Sequence, residues 1–237
     1  MTSSPKKRAQ LDLDLRPRTW GGARKGAGRK KTGLCSDAPH RARPIVKKHE
    51  VQHVVLRTRK DVPRLRRGAT YAAIARALQH TLGEHAFRVV HTSIQHNNLH
   101  FLIEADDKEA FSHGMRSLAI CAALAINEVC DRSGKVFAYR YHATAIRSPR
   151  QMRNALAYVL NNWRKHSEDE RCPAARIATL DPYSTAIQFR GWKQAAKFGV
   201  PAGYAPLPSA EATTWLLRVG WERHGPISAY EVPGNAP

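Results

Sequence analysis

The spacing of apolar residues changes period several times after about residue 49. His49 to Arg57 is rich in β-branched residues and predicts a strand. Thr70 to His80 places Ala73, Ile74, Ala77 and Leu78 at helical spacing, with Thr70 as the expected N-cap and an end near Gly83. Phe87–Gln95 and Asn98–Glu104 predict two strands meeting in a hairpin at His96-Asn97. A long helix is expected from about Lys108 to Cys130, where Phe111, Met115, Leu118, Ala122, Ala125, Ile126 and Val129 make one stripe. Val136 to Ile146 predicts a fourth strand. Ser148-Pro149 then supplies an N-cap and a first-turn proline for a helix reaching about Lys165.

The order is therefore β-α-β-β-α-β-α. Its first six elements match the split βαβ, ferredoxin-like arrangement, an α+β fold in which helices cover one face of an antiparallel sheet and leave the other available for a site. Beyond residue 166 proline and glycine recur and periodicity fades, apart from a short helical run around Ala212–Arg223. The expected organisation is a basic arm over 1–46, a catalytic-type domain over 47–166 and an irregular C-terminal extension over 167–237.

Charge sharpens this division. The chain of 237 residues carries a formal +20, and residues 1–67 hold 20 Lys/Arg against 5 Asp/Glu, leaving only +5 for the remainder. A regional excess of this size favours a polyanion, because each neutralised phosphate releases counterions. The arm residues Arg24, Lys25, Arg29, Lys30 and Lys31 sit among glycines without a large apolar residue, as expected of a segment that orders on a phosphate backbone. Arg57, Arg59, Lys60, Arg64, Arg66 and Arg67 extend the basic stretch into the folded region. The glycines do not form a P-loop, since no apolar strand precedes them and Gly-Lys-Ser/Thr is absent. Hydrophobic residues at 42% are enough for a core, and no run approaches a bilayer span. With no signal-peptide core, the expected location is intracellular. Cys35, Cys121, Cys130 and Cys172 lack a C-x-x-C pair and read as reduced thiols.

Two places carry candidate chemistry. On the third strand Leu99, Phe101 and Ile103 alternate with Asn98, His100, Leu102 and Glu104, so His100 faces away from the helical layer. His96 shares that parity if the strand stays regular. A strand histidine is by itself more often structural than a ligand, and His96-x-x-x-His100 lacks the helical H-E-x-x-H pattern of a zinc pair. On the last helix Met152, Ala155, Leu156, Val159, Leu160 and Trp163 form the apolar stripe, while Tyr158 and Asn162 lie one turn apart on its flank, near Asn154 and Lys165.

At these residues the chain resembles the REP-associated tyrosine transposases, which are single-tyrosine HUH enzymes. The resemblance runs from about residue 48 to 166 through Ser93–Glu104, Gly134–His142 and Arg153–Asn162, and more loosely into Asp181–Ser184, Gly191-Trp192 and the Trp215–Arg218 region. It implies a tyrosine that attacks a single-stranded DNA phosphodiester, giving a 5′-phosphotyrosine and a free 3′-OH. A divalent ion held by a His-hydrophobic-His pair, and by a polar residue one turn past the tyrosine, assists. Carried over, Tyr158 is the nucleophile, His100 the second histidine and Asn162 the turn-later ligand. Oxygen-rich ligation with one or two imidazoles suits Mg²⁺ or Mn²⁺. The chain departs from the pattern at Asn98, which stands where the first histidine belongs. Either the Asn98 carbonyl binds the ion, or His96 supplies the missing imidazole, or cleavage is lost and DNA binding remains.

The resemblance implies single-stranded or hairpin DNA as partner, no membrane, a monomer or homodimer, and a bacterial cytoplasmic, nucleoid-associated setting. A non-catalytic hairpin-binding protein of the same fold is the second reading. An RRM-like RNA module is a third, opposed by Phe101, which shares its face with Leu99 and Ile103 as a core residue would.

Overall fold

The computed structural model describes residues 46–48, 50–168, 180–194 and 202–234. In chain order the elements are β1 (Val51–Arg57), α1 (Gly68–Thr81), β2 (Phe87–Ile94), β3 (Asn98–Ala105), α2 (Lys108–Val129), β4 (His142–Ile146), α3 (Pro149–Lys165) and a single-turn α4 (Trp215–Arg218). The strands form one antiparallel sheet in the order β2-β3-β1-β4, the split βαβ arrangement.

Strand alternation separates two cores. Val54 and Leu56 of β1, and Leu99, Phe101 and Ile103 of β3, turn towards α1 and α2, where Ile74, Leu78, Phe111, Met115, Leu118 and Ile126 close the layer. Phe101 is fully buried there, so it is unavailable for base stacking. Gly114 of α2 lets the Phe87 ring lie against the helix backbone, since a Cβ at that position would stand 2.1 Å from the ring.

The opposite face is covered by α3. Ser148 caps this helix, its hydroxyl accepting from the Gln151 N–H, and Pro149 occupies the first turn. The expected stripe is buried, but so are Ala157, Tyr158, Asn161 and Asn162, because the helix is packed on the sheet on one side and covered by a second layer on another. Leu180, Ala186, Leu217, Trp221, Ile227 and Ala229 complete that core. Arg153 pairs with Glu231, its Nη2 2.7 Å from Oε2, and Asn161 Nδ2 donates to Ser228 O at 2.9 Å. The described residues beyond 180 are held in short helical turns and irregular segments, and they form one side of the packing around α3.

Three local expectations are revised. Helix α1 begins at Gly68 with Arg67 as its cap residue, and the Thr70 hydroxyl donates back to Leu65 O at 2.7 Å from within the first turn. Strand β4 is confined to His142–Ile146. Phe137 does pair with Thr58, but register slips by two residues before Val55 meets His142, and the intervening Tyr139 is exposed. The helical run near the C-terminus divides into α4 and a 3₁₀ turn over Gly220–His224. Among the described residues, no helix is long and apolar enough to cross a membrane.

Candidate active site

The site lies between the sheet and α3. His100 sits on β3 opposite Val55 of β1, while His53 of β1 sits opposite Leu102. Both face α3, because His53 shares the parity of Val51 and His100 that of Leu102, two members of the second core. On adjacent antiparallel strands this places the histidines on a diagonal, within reach of each other. Their rings stack with centroids 5.6 Å apart and planes inclined by 12°, and His100 Nδ1 is 3.4 Å from His53 Nε2.

Tyr158 meets this pair edge-on from α3, its ring centroid 5.5 Å from His100 and 5.6 Å from His53. Lys165 Nζ lies 5.1 Å from the centre of the tyrosine ring. One helical turn after Tyr158, Asn162 is completely buried, and neither its Oδ1 nor its Nδ2 has a hydrogen-bond partner. His100 Nε2 is likewise buried without a partner. Orphaned polar atoms of this kind carry a penalty unless a ligand or water satisfies them.

Burial controls the protonation states. It lowers the His100 pKa to about 3, with the neighbouring His53 and His166 adding to the effect. It lowers that of His53 to about 4, aided by His142. Both imidazoles are therefore neutral at neutral pH, better suited to lone-pair donation than to taking up a proton. Burial pushes the Tyr158 hydroxyl in the opposite direction, above the ordinary tyrosine value.

The remaining candidates are dispersed. Asn98 is half-buried at the start of β3, on the same strand face as His100 and opposite Arg57. His96 stands in the link between β2 and β3, outside the regular strand on which its shared parity depended. Its side chain is 41% exposed, with Nδ1 4.0 Å from Glu168 Oε1. Arg57, Lys60, Arg64 and Arg67 are exposed, and Arg59 is exposed but paired with Asp61 at 2.9 Å. Arg66 differs from these. Its guanidinium makes two bonds to the buried Asp181 carboxylate, at 3.0 and 2.9 Å, donates to Ile94 O at 2.9 Å, and lies 4.5 Å from the centre of the Tyr183 ring. The geometry makes Arg66 a strut between the β2 end and the C-terminal layer. Arg24, Lys25, Arg29, Lys30 and Lys31 lie outside the described residues.

His53 is the site residue that sequence reasoning missed. It was visible as a histidine in a strand, but only the register of β1 against β3 puts it beside His100. Among the described residues, no group of three or more His, Cys, Asp or Glu is placed to hold a metal ion. The donors at hand are two neutral imidazoles and the orphaned Asn162 carboxamide. This set fits a divalent cation of borderline or hard character, without the charge a carboxylate would add.

No protein-family model matches the chain, and no curated protein does. Among solved structures, a REP-associated tyrosine transposase bound to a REP hairpin is similar over 73% of this chain and 100% of that one, with a TM-score of 0.51 and 15% sequence identity. Similarity at that identity shows a shared fold.

Proposed function

We propose that this chain binds hairpin-forming single-stranded DNA and cleaves and rejoins it through Tyr158, with a divalent metal. The observation that carries the reading is the convergence of Tyr158, one turn from the orphaned Asn162, on the buried His100. The solved neighbour was bound to a DNA hairpin, and the fold in common supports the same partner here.

In this reading the Tyr158 oxygen attacks phosphorus as its proton leaves. The bond from phosphorus to the 3′ oxygen breaks, and that oxygen takes up a proton to become the free 3′-OH. The DNA remains joined to Tyr158 by its 5′ phosphate until a 3′-OH reverses the step. A tyrosine of ordinary pKa is only about a thousandth ionised at pH 7, a deficit of about 4 kcal/mol, and burial enlarges it. Mg²⁺ or Mn²⁺ held by His100 and Asn162 would supply charge stabilisation at the phosphate. Lys165, over the tyrosine ring, favours negative charge developing there.

A binding-only descendant is the alternative, and Asn98 is the residue that favours it. The test is incubation of the full chain with hairpin oligonucleotides from repeats flanking its own gene, with Mg²⁺ or Mn²⁺, followed by a denaturing gel. A metal-dependent covalent adduct supports the enzyme. Tight binding with no adduct supports the alternative, and an adduct regained only in Asn98→His locates the loss at the metal site.

The basic residues should separate in the same assay. Arg64→Ala is expected to weaken hairpin binding and reduce the salt slope by about 0.7 to 0.9, as loss of one phosphate contact does. Arg66→Gln is expected to lower stability by about 2 kcal/mol, because it leaves Asp181 buried without its partner. Urea unfolding and salt-dependent binding measure the two effects, and an unchanged slope in Arg64→Ala would remove that residue from the DNA surface.

A further inference from the structure

We infer that His53 supplies the second imidazole of the metal site, so that the ion is held by β1 and β3 together and not by two residues of β3. The inference rests on the proposed metal-dependent reading and names a ligand for it that neither the motif nor the resemblance provides.

Three observations support His53. The first is the distance of 3.4 Å between His53 Nε2 and His100 Nδ1. That is long for a nitrogen hydrogen bond, which centres on about 2.9 to 3.0 Å. It is close to the separation of two nitrogens that share one cation: with bonds of about 2.1 Å and angles of roughly 90° to 110°, they stand about 3.0 to 3.4 Å apart. The second is burial. His53 and His100 are 2% and 4% exposed, and Asn162 beside Tyr158 is buried with both amide atoms unpartnered. His100 Nε2 is buried without a partner as well. The third is that Tyr158 contacts both rings at nearly equal distance, so an ion on the pair stands next to the tyrosine ring.

His53 also accounts for Asn98. With an imidazole already contributed by the neighbouring strand, the position before Leu99 can carry a residue that coordinates weakly or not at all. His96 is a poorer substitute, because its ring lies outside the strand, partly exposed, and faces Glu168.

The experiment is Mn²⁺ binding to the full chain in the absence of DNA, followed by electron paramagnetic resonance of the free ion. His53→Gln is expected to weaken binding at least tenfold, and His96→Gln to change it less than twofold. Adding Asn98→His to His53→Gln should recover most of the loss by restoring an imidazole on β3. Binding by His53→Gln within twofold of wild type overturns the inference, as does a wild type that does not bind Mn²⁺. Since His53→Gln removes a buried ring, a second measurement uses the unsubstituted protein: with ¹⁵N-labelled histidine, Zn²⁺ as a diamagnetic stand-in should shift the His53 Nε2 and His100 Nδ1 resonances together as the two nitrogens become ligated. A ligation shift at His100 without one at His53 overturns the inference. The oligonucleotide assay keeps the two ideas apart: an adduct formed by wild type, together with Mn²⁺ binding indifferent to His53, removes this ligand and leaves the reaction standing.

Discussion

Tyr158→Phe is expected to reduce the covalent protein–DNA adduct below detection, a loss of at least a thousandfold, while hairpin affinity changes less than twofold. The substitution removes one oxygen and leaves the ring that packs edge-on against His53 and His100 and under Lys165. Stability should consequently stay within about 0.5 kcal/mol of wild type, so a lost adduct cannot be charged to unfolding. Tyr139 and Tyr71 are placed elsewhere. Tyr139 is exposed on the excursion before β4, and Tyr71 lies on α1, with its hydroxyl donating to Ala205 O. A denaturing gel with labelled oligonucleotide reads the adduct, and filter binding reads affinity. An adduct that persists in Tyr158→Phe would move the nucleophile elsewhere and undo the central assignment.

Glu104→Gln is expected to cost about 3 kcal/mol at pH 7, the largest stability effect anticipated for a single polar substitution in this fold. Glu104 is fully buried on the α3 side of β3. Its Oε1 accepts from Thr214 N at 3.0 Å and Oγ1 at 2.7 Å, and its Oε2 from Thr213 N at 2.8 Å and Oγ1 at 2.6 Å. Glutamine replaces one acceptor with an NH₂ group that confronts a backbone N–H, a donor that cannot rotate away. Burial alone would raise the Glu104 pKa, but the four bonds from Thr213 and Thr214 outweigh it and hold the carboxyl below its ordinary value. A depressed folded-state pKa contributes stability that is fully present above the unfolded-state value and is lost as pH falls through the folded-state one. The difference between wild type and Glu104→Gln in urea unfolding should therefore be widest near neutrality and narrow on acidification. A difference that does not vary with pH would mean the carboxylate charge is not what anchors this segment.

The same contact explains why part of the site could not be read in advance. Thr213 and Thr214 lie more than a hundred residues from Glu104, and nothing in the periodicity of either segment announces the pairing. Tyr158 and Asn162 were placed one turn apart correctly, because helical spacing is local. They were expected on the flank of the apolar stripe, and both are buried, with Tyr158 packed against His53 and His100 of the sheet. His96 illustrates the reverse: its parity was inferred by extending a regular strand two residues past its true start at Asn98. His53 is 47 residues from His100, and a shift of one residue in the pairing of β1 with β3 would turn it to the opposite face.

What the sequence determined alone was the order of elements, the split βαβ class, the capped last helix with Tyr158 and Asn162 on it, and the concentration of positive charge before residue 68. These follow from short-range forces: side-chain periodicity, capping chemistry and the count of charges. The tertiary structure alone decided which histidine stands beside His100, that Arg66 is tied to Asp181, and that described residues beyond 180, among them Ala186, Leu217 and Trp221, close over α3. Those outcomes depend on strand register and on burial shared between distant segments, free energies that no stretch of chain possesses until the others have packed against it.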